Sequence, residues 1–204
     1  MLEVEVKEKI DVELYEDFLN GNNEAFNKIA IKYQNQLINF INGYVKNTDI
    51  AEDLAQDTFL YVLVNKKEYD FKYTLKTYLY TIAKCRAINY LKKEKKKIEF
   101  NQDELYQIEE IDFDADIVKS KNIEIIRENI QNLKYEYKLV IYLRDFQDFQ
   151  YKDICKILNK NMYQVKVLIH RARKALKKQI EKGGYKYDDW KWFYRQDLEE
   201  VWWI

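Results

Sequence analysis

Carboxylate and amide side chains at helical spacing mark one face of the stretch from Asp49 to Leu63. At about 100° per residue the polar side of this helix carries Glu52, Asp53, Gln56 and Asp57. Leu60 and Leu63 fall on the same side, where a solvated surface has no use for them. Two interpretations are open for this face alone: a solvated acidic surface with two stray leucines, or an acidic, partly apolar docking strip for a basic partner helix.

The same stretch also indicates where its helix begins and which side is buried. Asp49 and Glu52 have capping-box spacing, so we expect the helix to begin at Asp49. The side expected to pack on a core carries Ile50, Leu54, Thr58, Tyr61 and Val62.

Cations adjoin aromatic side chains in the next segment. A helix is predicted over Thr77–Lys97, with an inner stripe of Leu79, Ile82, Ala83, Ala87, Tyr90 and Leu91. Lys84, Arg86, Asn89, Lys92 and Lys93 are its candidate contacts to nucleic acid. Tyr69, Phe71, Tyr73 and Tyr78 lie in the loop before it or in its first turn. Because base–aromatic stacking contributes roughly 1–3 kcal/mol per base, this combination favours a surface for unstacked bases over an ordinary solvated helix.

A second basic segment follows a predicted helix-turn-helix. The short helix Tyr151–Leu158, the turn at 159–161 and the helix Met162–Lys178 have the required lengths. Val165, Leu168, Ile169, Ala172 and Leu176 form the inner stripe of the last helix. Its candidate DNA contacts are Gln164, Lys166, His170, Arg171, Arg173 and Lys174. The N-terminal turn would enter the major groove and the cations would hold phosphates, although basic helix ends also occur in proteins that never touch DNA.

Charge is balanced overall, with 35 basic and 35 acidic residues, but it is strongly segregated. From Lys84 to Lys97 there are seven basic residues and one acidic, and from Lys166 to Lys178 six basic and none acidic. Between these blocks, Glu99 to Glu128 contains ten acidic and three basic residues. Two basic blocks around an acidic one suggest two surfaces for a polyanion.

Composition favours an all-α protein, since the 204 residues include no proline and only four glycines. Further helices are predicted over Val12–Leu19, Glu24–Tyr44, Ile123–Leu133 and Tyr135–Arg144. The expected domains are 1–97, an acidic linker over 98–120, a second helical domain over 121–182 and an aromatic extension over 183–204. No apolar run is long enough to span a bilayer and no signal peptide opens the chain, which predicts a cytoplasmic protein without membrane insertion.

Catalytic chemistry finds no support in the residues. There is no Gly-rich phosphate loop, and the single histidine, His170, has no nucleophile at a recognisable spacing. A metal site is not expected with one histidine, and no cofactor is expected. Cys85 and Cys155 are interpreted as small core residues rather than a disulfide. The chain is therefore predicted to be a binding protein and not an enzyme.

The C-terminal extension contains all four tryptophans. Gly183-Gly184 is expected to end the preceding helix, because glycine readily takes the left-handed position there. Trp190, Tyr194, Leu198 and Val201 share one face at helical spacing. We expect this tail to form a short helix docked on the helical domains, with a disordered tail as the alternative.

Two motif blocks together resemble an RNA polymerase sigma factor of the extracytoplasmic-function (ECF) group. Residues 49–59, DIAEDLAQDTF, look like the polymerase-docking motif of that family, and 77–93, TYLYTIAKCRAINYLKK, are similar to its promoter-melting and −10 helix. YLRDF at 142–146, YKDI at 151–154 and VKVLIHRARKAL at 165–176 look like its −35-binding domain. The resemblance covers about 25–97 and 133–178.

The resemblance implies two small helical domains, a region 2-like bundle and a region 4-like helix-turn-helix. It implies that Asp53, Gln56, Asp57 and Leu60 dock on core RNA polymerase, that the loop before Thr77 holds a flipped −10 base, and that the second basic helix binds the −35 element of promoter DNA. The linker would run through the nucleic-acid channel of the polymerase. An anti-sigma factor is a further partner that the resemblance leaves open.

The chain departs from the family pattern at several positions. Cys85 and Asn89 stand where the family usually has Asn and Asp, and Val167-Leu168 replace a common Ser-Arg pair. Asn159 stands at the usual glycine of the turn, where asparagine tolerates the left-handed conformation better than most residues. The competing hypotheses are a polymerase-independent helix-turn-helix transcription regulator, which leaves the acidic strip unexplained, and a helical scaffold on an anionic membrane.

Overall fold

A computed structural model describes the backbone of residues 2–100 and 128–184, and the side chains of 10–96 and 128–184. All regular elements within these ranges are helical, which confirms the all-α prediction. The chain divides into two compact units, one containing the first four helices and the other most of the residues from 128 onward.

Within residues 2–100, four α-helices form the first unit: α1 (Leu2–Leu19), α2 (Asn23–Val45), α3 (Thr48–Val64) and α4 (Leu75–Phe100). Helix α2 packs against each of the other three, and α3 also packs against α4. The core contains Tyr15, Phe18, Ile29, Leu37, Phe40, Ile41, Leu75, Leu79 and Tyr80. A connecting loop over 65–74, which includes a short 3-10 turn at Lys66–Glu68, joins α3 to α4. Apolar residues at helical spacing therefore close a bundle around α2.

The cap of α3 differs from the prediction. Asn47 is the N-cap, and its side-chain oxygen accepts a hydrogen bond from the backbone N–H of Ile50 at 3.0 Å. Lys46 ends α2 in a left-handed conformation (φ 57°), which leaves Asn47 in extended backbone at the start of the next helix. A capping asparagine is favoured there because it satisfies an orphan N–H. The predicted capping box of Asp49 and Glu52 is wrong.

The buried side of α3 follows its predicted stripe with two exceptions, and the first is Ile50, which is only half-buried. Leu54, Thr58 and Val62 are buried, together with the small residues Ala51 and Ala55. Tyr61 was expected on this side but is only half-buried, and its hydroxyl donates to the Glu68 carboxylate at 2.5 Å. The phenol lies at the edge of the stripe, where its hydroxyl can reach an acceptor outside the core.

The second unit begins, within the described residues, with a helical end at 128–131. Helix α5 (Tyr135–Ile141) continues into a π-helical turn (Tyr142–Phe146), followed by α6 (Tyr151–Leu158) and α7 (Met162–Lys182). Helix α5 packs against α7. The single helix predicted over Tyr135–Arg144 is thus interrupted. The wider turn lets Arg144 bury its side chain and donate to the Phe149 carbonyl at 3.0 Å.

The turn between α6 and α7 has the form predicted for a helix-turn-helix. Asn159 is left-handed (φ 53°), and the N–H of Lys160 donates to the Cys155 carbonyl at 3.1 Å. The N–H of Asn159 donates to the Lys156 carbonyl at 3.4 Å, completing a Schellman motif. Asn161 then caps α7, and the side-chain oxygen of Gln164 accepts a hydrogen bond from the backbone N–H of Asn161. The turn survives without glycine because asparagine accepts positive φ.

The C-terminal end of α7 has the predicted pair of glycines. Gly183 caps α7 and Gly184 takes the positive φ of 84°, as predicted for this pair. Residues 101–127 of the linker region and the tail from 185 to 204 lie outside the described residues.

Cys85 was expected in the core but is exposed, whereas Cys155 is partly buried. Within the described chain no helix is both long and apolar enough to span a membrane.

Candidate functional site

The outer face of α3 combines negative charge with exposed apolar side chains. Asp53, Gln56, Asp57 and Leu60, here called the acidic strip, are all exposed, and Leu60 is 56% accessible. Leu63 and Val64 extend the apolar part and are also exposed. Several exposed apolar side chains grouped beside carboxylates are unusual on a helix face that only contacts water. The strip is therefore suited to a partner that offers both cations and apolar surface.

The connecting loop is built around an aromatic cluster of Tyr15, Tyr69, Phe71 and Tyr78. The ring of Tyr69 lies 4.8 Å from that of Tyr15, 4.5 Å from Phe71 and 5.2 Å from Tyr78, measured between centroids. The Tyr69 hydroxyl donates to the Tyr73 carbonyl at 2.8 Å. Close aromatic pairs, here one edge-to-face and two tilted, each contribute about 0.5–1.5 kcal/mol beyond area burial, so the cluster fixes the loop's shape.

The four aromatic residues assigned to base stacking differ in access. Tyr69 is 5% exposed, so its ring supports the loop from within rather than presenting a face to DNA. Tyr73 and Tyr78 are half-buried. Phe71 is 42% exposed and stands in a left-handed conformation (φ 58°), which is rare for an aromatic residue. Phe71 is thus the ring of this set that the loop presents most openly.

The hydroxyl of Tyr78 has no hydrogen-bond partner among the described residues, although the atom is buried. Burial raises the pKa of Tyr78 to about 12, with smaller contributions from the negative charge that Tyr61, Glu68 and Asp70 can carry. Near neutral pH the group therefore keeps its proton and can act as a donor beside the loop.

The predicted nucleic-acid contacts of α4 differ in exposure along the helix. Asn89, Lys92 and Lys93 are exposed, and so are Lys95 and Lys96 in the following turn. Lys84 is half-buried, and the Arg86 guanidinium lies 5.1 Å from the centre of the Tyr61 ring. A cation held over an aromatic face keeps its charge, but the orientation of its side chain is restricted. The C-terminal half of α4 accordingly carries the more exposed cations of this helix.

Helix α7 separates its predicted contacts into three groups. Lys166, His170, Arg171 and Lys174 are exposed on the side away from the buried stripe. Gln164 is exposed, but its side-chain oxygen accepts the Asn161 backbone N–H at 3.0 Å as part of the capping box. The exposed cations and the His170 imidazole therefore share the outer face of α7. Gln164 instead stabilises the start of the helix.

Arg173 is placed differently from the other cations of α7. Its guanidinium donates to both carboxylate oxygens of Asp145, with the Nε–Oδ2 distance at 3.4 Å. The Arg173 side chain is 15% exposed and that of Asp145 is 3% exposed. A carboxylate so deeply buried needs its partner, so this arginine is first a structural ion pair between α7 and the π-helical turn.

Two residues important to these surfaces were not singled out from the sequence. Tyr15 reaches the connecting loop from α1, and Asp145 holds Arg173 across 28 positions of sequence. The motif containing Asp145 was visible, but spacing does not reveal a partner that far away. Within the part of the chain with described side chains, no three His, Cys, Asp or Glu residues group closely enough to hold a metal ion.

Comparison with known families matches both halves of the chain. The family described as Sigma-70 region 2 matches residues 29–97, and Sigma-70, region 4 matches residues 123–176. RNA polymerase sigma factor YlaC of Bacillus subtilis is 30% identical over 164 residues, covering 74% of this chain and 90% of that protein. ECF RNA polymerase sigma factor SigW of the same organism is 30% identical over 172 residues, covering 78% and 91%.

Solved structures agree on the fold. The sigma factor RpoE from Bartonella quintana, solved with the anti-sigma factor NepR, has a TM-score of 0.60 at 19% identity, covering 76% of this chain and 96% of that one. CnrH, solved with the cytosolic domain of CnrY, has a TM-score of 0.59 at 16% identity, covering 85% and 98%. The chain belongs to the ECF group of RNA polymerase sigma factors, which are promoter-specific transcription initiation factors acting with core RNA polymerase, and not enzymes.

Proposed function

We propose that the acidic strip of α3 is the surface through which this sigma factor docks on core RNA polymerase. The observation that carries the proposal is Leu60, an exposed leucine set among Asp53, Gln56 and Asp57. A basic partner helix with an apolar seam would cover the leucine and pair with the carboxylates. Charge would then steer the encounter, and burial of Leu60 would slow dissociation.

We propose further that the connecting loop and α4 recognise the −10 element. Opening a promoter exposes unpaired bases, and extruding one costs a few kcal/mol that a stacking partner must offset. Phe71 is the exposed ring at the loop, while Lys92 and Lys93 lie on the outer side of α4 for the phosphates. Tyr69, Tyr73 and Tyr78 shape the site around Phe71.

The −35 element is assigned to α7. Lys166, His170, Arg171 and Lys174 lie on the outer face of a helix whose start is held by a helix-turn-helix turn. In that geometry the first turn approaches base edges and the following cations position the backbone. The proposed division of labour is 1–97 for docking and −10 recognition, 98–120 for a linker in the polymerase channel, and 121–182 for −35 recognition.

The proposed setting is the cytoplasm, where core RNA polymerase and promoter DNA are found. An anti-sigma factor is a further proposed partner, since the Bartonella relative was solved with one. Affinity purification of the tagged chain from its own cells, compared before and after a stress that induces it, tests this partner. A stoichiometric protein that is exchanged for polymerase on induction is the expected result.

The central test combines pull-down of core RNA polymerase with run-off transcription on a template pool randomised in its −35 and −10 regions. The expected result is holoenzyme formation together with enrichment of templates that share two elements. A polymerase-independent regulator would instead retain duplex DNA without core enzyme and would give no selected transcripts. Recovered templates would also supply the −10 and −35 sequences needed for the binding experiments below.

A further inference from the structure

Helix α1 lies before the part of the chain that matches sigma region 2, which begins at residue 29. Its Tyr15 is fully buried, yet the side chain is directed toward the connecting loop. The Tyr15 hydroxyl donates to the backbone carbonyl of Lys66 at 2.9 Å, in the 3-10 turn at the start of that loop. A helix outside the matched region thus holds a loop inside it.

Contacts between rings continue the connection from Tyr15 to Phe71. The Tyr15 ring meets Tyr69 edge to face at 4.8 Å and lies 6.0 Å from Phe71 at 83°. Tyr69 in turn lies 4.5 Å from Phe71. Burial raises the pKa of Tyr15, so its hydroxyl remains a donor at physiological pH. One side chain therefore fixes both the backbone at the loop start and the rings at its centre.

The conformation of Phe71 needs such support. A non-glycine residue at φ 58° is disfavoured by roughly 1–2 kcal/mol, because its Cβ approaches the following carbonyl. Residues persist in this region only where the surroundings over-determine them, and they cluster at functional sites. Asp70 contributes locally by accepting the Lys72 N–H at 3.1 Å, and Tyr15 contributes from another helix. The cluster holds the exposed ring in a conformation that a free loop would avoid.

We propose that Tyr15 is a positioning residue for −10 recognition, which holds the connecting loop so that the Phe71 ring is already placed to stack on an extruded base. This inference rests on the proposed role of Phe71 in base capture. Pre-placing the ring means that binding does not have to order the loop, and the saved ordering cost appears as affinity for the unpaired base.

The test uses full-length protein in holoenzyme with core RNA polymerase. The probe is a fluorescein-labelled single-stranded oligonucleotide carrying the −10 sequence recovered from the run-off selection. A second set of probes has an abasic site at each position in turn, which identifies the captured base in the wild type. Tyr15→Phe removes the hydroxyl alone and keeps the ring. Tyr33→Phe is the matched control, because the Tyr33 hydroxyl also ties α1 to the bundle, through the Asp11 carboxylate on α1.

Tyr15→Phe is expected to weaken binding of the intact probe by about 2- to 13-fold, the equivalent of one ordinary hydrogen bond of 0.5–1.5 kcal/mol. On the probe that is abasic at the captured position, Tyr15→Phe and the wild type should bind equally, because there is no base to stack. Tyr33→Phe should bind both probes as the wild type does. This difference between probes is a readout that general loosening of the bundle would not produce.

Three results would overturn the inference. The first is equal binding of the intact probe by Tyr15→Phe and the wild type. The second is a Tyr15→Phe defect that persists on the abasic probe, and the third is an equal defect in Tyr33→Phe. Phe71→Ala separates this failure from failure of the underlying proposal. If Phe71→Ala binds intact and abasic probes as the wild type does, the assignment of Phe71 to base capture is wrong. If Phe71→Ala loses the difference between probes and Tyr15→Phe keeps it, only the role of Tyr15 is wrong.

Discussion

At the scale of single residues, two identical side chains on one helix have different roles because their surroundings differ. Arg171 and Arg173 both belong to α7 and were both predicted to contact DNA. Arg171 is exposed, whereas Arg173 is largely buried against Asp145. An exposed arginine can form an ion pair with a phosphate at little conformational cost. A largely buried arginine that pairs with a buried carboxylate cannot leave without weakening the neutralisation of that carboxylate.

Arg173→Ala is therefore expected to lower the free energy of unfolding of the second unit by about 3–5 kcal/mol, since it removes the cation that pairs with the deeply buried Asp145 carboxylate. Arg171→Ala should leave stability nearly unchanged but weaken promoter binding by holoenzyme. It should also flatten the dependence of log K on log salt by about 0.9 for one lost phosphate contact. Thermal unfolding and salt titrations of promoter binding measure the two effects.

Asp145→Asn provides the control for this assignment. It keeps the shape of the side chain but removes the buried charge, so it should cost less stability than Arg173→Ala. Equal stability of Arg173→Ala and Arg171→Ala would show that the ion pair is dispensable and would return Arg173 to the set of DNA contacts.

At the scale of elements, the helix-turn-helix depends on one residue with positive φ and one capped helix start. Asn159 ends α6 at φ 53°, and Asn161 begins α7 at φ −77°. The two asparagines are separated by a single lysine, yet only the first needs a left-handed backbone. The angle at which α7 leaves the turn is set there, and with it the approach of the helix to the major groove.

Opposite substitutions at Asn159 should have opposite effects on stability. Asn159→Gly is expected to be neutral or stabilising, because glycine takes positive φ without strain. Asn159→Val should destabilise the turn by about 1–2 kcal/mol, since a β-branched side chain clashes in this conformation. Hydrogen exchange of the α6 and α7 amides in the full-length chain would report the change locally.

Asn161→Gly is the matched control for this pair. It replaces the same residue type at negative φ and removes a capping side chain, so it should cost a few tenths of a kcal/mol rather than stabilise. Slower exchange for Asn159→Val than for the wild type would contradict the turn geometry.

At the scale of the whole molecule, zero net charge conceals surfaces of opposite sign. The acidic strip is on α3, while the exposed cations are concentrated on α4 and α7. A protein that meets a basic protein surface and a nucleic acid at once needs both signs kept apart, because mixed charge would weaken both encounters. The exposed leucine within the strip adds an apolar contact that charge alone would not supply.

Double reversal by Asp53→Arg and Asp57→Arg is expected to abolish core RNA polymerase binding while the helical circular dichroism is retained. Both carboxylates are exposed, so their replacement disturbs no core contact, but it places like charges against a basic partner. Pull-down and fluorescence anisotropy with labelled sigma factor measure the loss. Leu60→Ala should also weaken binding of core RNA polymerase. The size of this loss should depend less on salt than the loss caused by the charge reversals, because Leu60→Ala removes apolar contact rather than charge.

Glu16→Arg and Asp17→Arg together form the matched control. They make the same change of charge on exposed positions of α1. Binding of core enzyme should persist with this control. Retained holoenzyme formation by the Asp53 and Asp57 double variant would refute the docking assignment.

Local pattern alone predicted much of this architecture. Helical periodicity placed the buried stripes of α3 and α7, and the helix-turn-helix lengths placed α6 and α7 to within a few residues. The exposed Leu60 and the left-handed Asn159 were both anticipated, because facing direction and backbone preference depend on neighbours within a turn of helix.

Tertiary structure decided what depends on partners distant in sequence. Burial of Tyr69 required Tyr15 from α1, and the pairing of Arg173 required Asp145 across 28 positions. Even the cap of α3 is Asn47 rather than the predicted Asp49, since the left-handed end of α2 at Lys46 determined which side chain faced the free N–H. Spacing along one helix specifies which side a residue faces, but burial and pairing are set by which other helix the fold brings against that side.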